Sequence, residues 1–135
     1  MSSEAIVKTV LSFYPDVEAI YLFGSYLTRD QQRESDVDIA VLFSHEKAKL
    51  LNNFAMSDCR DALEKVSKRT VDLINLRTVN TVFQSEIIQQ GRIIYQQNER
   101  AVDEFEMQVM SSYQKLNEER AGILEDILET GRILK

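Results

Sequence analysis

Three acids and a glycine–serine pair carry the chemistry this sequence offers. Asp36 and Asp38 lead one of the most apolar segments of the chain, Val37 to Phe43. Ten residues separate Gly24-Ser25 from Asp36, and Asp72 lies inside a third apolar run, "TVDLINL". Acids stay off buried segments unless something pairs with them. Residues two apart on a strand share a face, so Asp36 and Asp38 aim together. If the run containing Asp72 is the neighbouring strand, three carboxylates converge. Two like charges ~5 Å apart repel by about 3 kcal/mol at an effective dielectric of 20. Such a cluster either holds a proton or binds a cation. Hard oxygen donors without histidine or cysteine favour Mg²⁺ or Mn²⁺, whose open coordination positions take water and substrate phosphates. Gly24 at a strand end allows close backbone approach, and the Ser25 hydroxyl with free N–H groups can hold phosphate oxygens. No Gly-Lys-Ser/Thr occurs, so a nucleotide would not be bound as in a P-loop. The blander alternative is that the acids cap turns and Gly-Ser is an ordinary loop pair.

The elements that must position these groups follow from periodicity. A helix with Ser3 as its cap has apolar positions at Ile6, Val7, Val10 and Leu11 and ends at Tyr14-Pro15-Asp16. Val17–Phe23 and Val37–Phe43 read as strands, the second apolar on both faces and therefore central. Residues 28–35 read as a polar loop. One helix is expected from about Glu46 to Lys68, with Leu50, Leu51, Phe54, Leu63 and Val66 toward the core. A strand follows at Thr70–Ile74, then a helix at Val79–Gln90 closed by a left-handed Gly91, then a strand at Arg92–Tyr95. Residues 98–135 read as one or two helices, with a stripe of Val102, Phe105, Val109, Leu116, Ile123 and Ile127 and a break expected at Gly122. The fold class is α/β: a small mixed sheet with flanking helices and a C-terminal helical tail. Residues 1–96 form the core and 97–135 an extension that packs on the core or on a partner.

Bulk properties narrow the function. The chain has 135 residues, 44% hydrophobic and 28% charged, which suits one soluble domain. Its net charge of -6 argues against direct nucleic-acid binding. The apolar runs fall short of a membrane span, and Met1-Ser2-Ser3-Glu4 has no signal-peptide character. A single cysteine, Cys59, excludes an internal disulfide and fits the cytoplasm. Cys59 reads as a packed small side chain, and His45 as a helix start. The basic cluster Lys65, Lys68 and Arg69 is either a solvated helix end or a contact for triphosphate or partner.

Gly24-Ser25, the ten-residue gap, Asp36-x-Asp38 and the later Asp72 together resemble the DNA polymerase β-type nucleotidyltransferase superfamily. The small size resembles its minimal branch, the MntA-type antitoxins encoded beside HEPN ribonuclease toxins. The resemblance implies that Asp36, Asp38 and Asp72 hold two Mg²⁺ ions, with Asp72 also the candidate base. It implies that Gly24 and Ser25 hold the phosphates of ATP. Relatives often read Gly-Ser-Tyr-Ala-Arg-Gly. Here Thr28 takes the arginine position and Arg29 follows it, so Arg29 is the expected substitute. The implied activity is transfer of AMP to a tyrosine of a cognate HEPN toxin, in a hetero-oligomer with it. Alternatives are masking without chemistry and transfer to a small molecule such as an aminoglycoside. The lone His45 lacks the arginine spacing of the toxins themselves.

Overall fold

A computed structural model describes residues 3–23, 37–52 and 54–130, with side chains up to residue 122. The elements are α1 (Ser3–Phe13), β1 (Ala19–Phe23), β2 (Val37–Leu42), α2 (His45–Leu50), α3 (Ser57–Ser67), β3 (Val71–Asn75), α4 (Thr81–Gln90), β4 (Arg92–Gln96) and α5 (Glu99–Thr130). The strands form a four-stranded sheet in the order β3-β2-β1-β4. β1 pairs antiparallel with β2 and with β4, and β2 pairs parallel with β3. Parallel pairing requires a crossover, and α2 and α3 supply it.

Alternation along the strands divides the core in two. Ile20, Leu22, Ile39, Val41 and Leu73 face α1 and α3, meeting Ile6, Val10, Cys59 and Leu63. Ala19, Tyr21, Phe23, Ala40, Leu42 and Ile74 face α4 and α5, meeting Ile87, Val102, Phe105 and Val109. β1 and β2 are covered on both faces, as their apolar sequences required.

The helix expected from Glu46 to Lys68 is two helices. Asn52 ends the first: its side-chain oxygen accepts from the Ala55 N–H at 2.8 Å and turns the chain. The Asn75 amide nitrogen, on β3, donates to Ala48 O and Leu51 O at 2.9 Å each and caps the end of α2. With the helix interrupted, Leu50, Phe54 and Val66 are 79%, 87% and 41% exposed rather than in the core. The left-handed cap is not at Gly91 but at Lys68, φ 58°, whose N–H donates to Glu64 O at 2.8 Å. Gly91 is extended at φ -82° and ψ 177°. A Cβ there would lie 2.6 Å from Ile87 O and 3.1 Å from both Leu22 O and Phe23 Cβ, so close approach, not a positive φ, demands the glycine. Gly122 does not break α5: its surroundings are open and the helix runs through it.

Candidate active site

Asp38 and Asp72 meet at one end of the sheet. Asp38 is the second residue of β2 and Asp72 the second of β3, and they are direct partners in the parallel register. Across β1, Asp38 pairs with Phe23. By alternation Asp38, Asp72 and Phe23 share the α4–α5 face. Asp38 is partly buried and Asp72 is exposed, within strands otherwise buried along their length. Gly24 and Ser25 follow Phe23 directly, and Asp36 precedes Val37. Gly24, Ser25, Arg29, Thr28 and Asp36 lie outside the described residues.

The donor set at this corner is oxygen. His45 stands beyond the opposite end of β2, and Cys59 is buried on the other face, where burial pushes its thiol up to about 11. Among the described residues no group of three or more histidine, cysteine or acidic side chains is placed to hold a metal ion. Asp38 and Asp72 are a pair, and the composition of that pair suits a hard divalent cation.

Several residues that sequence reasoning did not single out hold the two ends of the sheet in place. Glu64, on α3, accepts from the Val71 N–H at 2.9 Å and ties that helix to the strand of Asp72. The Tyr21 hydroxyl donates to Glu106 Oε2 at 2.6 Å and ties β1 to α5. Burial, and then the Glu106 carboxylate, hold the Tyr21 phenol well above the ordinary tyrosine range. Arg77 gathers the far end: its Nε donates to Phe43 O, it pairs with Glu18 at 3.0 Å, and its guanidinium stacks 5.3 Å over Phe105. A groove of about 480 Å³ runs along the outer edge of β3, lined by Met56, Arg60, Asp72, Asn75, Thr78 and Phe83 among others. Asn75 carried a signal in its sequence, a lone amide within an apolar strand. Arg60 carried none, being one cation among many on a surface helix.

The model of the polymerase β nucleotidyltransferase family matches residues 5–100. A protein adenylyltransferase, MntA of Shewanella oneidensis, is 34% identical over 130 residues, which cover 95% of this chain and 88% of the relative. A putative protein adenylyltransferase of Methanocaldococcus jannaschii is 30% identical over 86 residues, 64% of this chain and 84% of the relative. Among solved structures, a toxin–antitoxin crystal structure with AMP-PNP superposes with a TM-score of 0.79 at 32% identity, covering 95% of this chain and 99% of the other. The MNT antitoxin complex with a tri-AMPylated HEPN toxin of Shewanella oneidensis gives 0.72 at 31% identity, covering 93% and 94%. The sheet order, the paired acids at its end and these likenesses agree: the chain belongs to the polymerase β nucleotidyltransferase family, among its adenylyltransferases.

Proposed function

We propose that this chain neutralises a cognate HEPN ribonuclease toxin by transferring AMP from ATP to one of its tyrosines and then adding further units in series; the related toxin is tri-AMPylated. The observation that carries the reading is the parallel register of Asp38 with Asp72, beside the strand that leads into Gly24-Ser25. The tyrosine hydroxyl oxygen attacks the α-phosphorus of ATP. The new O–P bond forms as the bond from that phosphorus to the pyrophosphate oxygen breaks, and pyrophosphate leaves with the electron pair. Asp72, on the edge strand and more exposed than Asp38, takes the hydroxyl proton. Gly24 and Ser25 hold the phosphates on the β1 side, with Arg29 supplying a cation. Asp36, Asp38 and Asp72 would hold Mg²⁺, which supplies charge neutralisation at the reacting phosphate when bound.

Residues 1–96 carry this chemistry and residues 97–135 form the extension. The first turns of α5 bury Val102, Phe105 and Val109 against the sheet. Beyond them, residues 110–122 are exposed or only partly buried, which suits a helix that meets a partner. No described helix is long and apolar enough to cross a membrane. A cytoplasmic site of action is part of the same reading.

The test is intact-mass spectrometry of the toxin encoded beside this chain, after incubation with ATP and Mg²⁺. AMP units on a tyrosine, absent with Asp36→Ala/Asp38→Ala, are the expected result. A silenced toxin without added mass would replace transfer with masking. Neither mass nor complex would point to a small-molecule acceptor.

A further inference from the structure

We infer that the groove along the outer edge of β3 is the seat of an adenylyl group already attached to the acceptor. Arg60 grips its phosphodiester, so that each later AMP is added to the one before. The inference rests on the adenylyltransfer reading above and assigns a residue to one part of it, the growth of the chain beyond its first unit.

Serial transfer sets a problem that a single transfer does not. The first acceptor is a neutral tyrosine hydroxyl. The second is a ribose hydroxyl on a group that carries a phosphate anion and an adenine ring. A site that extends the chain must bring that hydroxyl to the same carboxylate and accommodate the new charge and the new ring.

The β3 groove has these parts. β3 is an edge strand, and on its inner side stand β2 and then β1, the strand that leads to Gly24-Ser25. Asp72 itself lines the groove. A donor nucleotide on the β1 side therefore leaves the β3 side for the acceptor. The volume of about 480 Å³ falls within the usual range of small-ligand sites. Arg60 brings a cation to a chain whose net charge is -6. Its guanidinium makes a loose 3.8 Å contact with the adjacent Asp61, with the two side chains 47% and 60% exposed, so little holds it back from an anion. Arg60 lies one helical turn before Glu64, on the same face of α3. The Glu64 bond to the Val71 N–H fixes that face against β3, one residue from Asp72. The partly exposed ring of Phe83 offers an apolar wall for a base and is steadied edge-on against Phe23 at 5.8 Å.

The ribose hydroxyl oxygen of the seated adenylyl group forms a bond to the α-phosphorus of ATP. The bond from that phosphorus to pyrophosphate breaks, and pyrophosphate departs with the electron pair. The hydroxyl proton passes to Asp72 and on to solvent. Arg60 touches only the older phosphodiester, so it serves extension and not the first transfer.

Two measurements on the full chain test this. In the first, wild type, Arg60→Ala and Arg60→Lys each receive the neighbouring toxin, ATP and Mg²⁺, and the AMP ladder is counted by intact mass. Arg60→Ala should slow the second addition relative to the first by about tenfold, with partial recovery in Arg60→Lys. An unchanged ladder overturns the inference, and so does an equal loss of the first unit and the later ones. In the second, phenyl adenosine 5′-phosphate, an aryl ester that mimics an adenylylated tyrosine, is titrated into each protein. Binding weakened about tenfold in Arg60→Ala supports the groove. Equal binding, or none in wild type, overturns it. If wild type adds no AMP to the toxin, the adenylyltransfer reading falls, and the titration still judges the groove.

Discussion

The hydroxyl of Tyr21, in the middle of β1, donates to the carboxylate of Glu106 on α5 at 2.6 Å. The ring is 1% exposed, so its one polar atom finds a partner at the rim of the core. Tyr21→Phe removes the donor while keeping the ring. The cost should be about 1–2 kcal/mol, since Glu106 is partly exposed and regains water. Urea denaturation should show an earlier midpoint with an unchanged slope, and AMP transfer should keep its wild-type rate. A loss of transfer without loss of stability would mean that Tyr21 touches substrate.

Asp72→Asn keeps the shape of the side chain and removes both its charge and its basicity. Transfer should fall by at least ~100-fold, the usual contribution of a positioned base. Without divalent cations the variant should melt at or above the wild-type temperature, because Asp38 loses a like-charged neighbour. Adding Mg²⁺ should raise the melting temperature of wild type and not that of the variant. A variant that melts lower in chelator would mean that Asp72 is structural.

Gly91→Ala forces a methyl group against Ile87 O and toward the end of β1 at Leu22 and Phe23. Overpacking of this kind costs about 1–3 kcal/mol. Since Phe23 precedes Gly24, the displacement should pass into nucleotide binding. The KM for ATP should rise more than kcat falls. Equal stability and an unchanged KM would show that the backbone yields at no cost.

Cys59 gives a pH-dependent prediction. Its thiol is pushed up to about 11 by burial, so the folded chain holds the proton more tightly than the unfolded one. The stabilising difference is fully present below the ordinary thiol range and is lost as pH climbs from there to about 11. On the order of 2 kcal/mol should disappear across that window. Cys59→Ala should flatten this part of the stability profile while costing some packing. At neutral pH the thiol should resist alkylating reagents until denaturant is added.

Strand patterns and strand acids were legible because alternation is local: Asp38 and Asp72 stand out in any reading of "DVDIAVLF" and "TVDLINL". The central place of β2 followed from its apolar faces. The break between α2 and α3 was not legible, since half of its cap is Asn75, which arrives from β3. Leu50 and Phe54 matched a helical stripe, but the chain turns at Asn52 and the stripe ends there. Gly91 is legible as a helix terminus, but the space around it, not its φ, is what excludes a side chain. Arg60 acquires meaning only when α3 is laid beside the edge of β3.

The parallel pairing of β2 with β3 also has a kinetic consequence. Asp38 and Asp72 are joined in sequence by the whole α2–α3 crossover, so no local hairpin can bring them together. Loop closure must come before their contact, and non-local parallel pairing is slow. Refolding chains should regain helix signal first and adenylyltransfer last. A chain emerging from the ribosome would carry each acid early and yet stay silent until the crossover has closed.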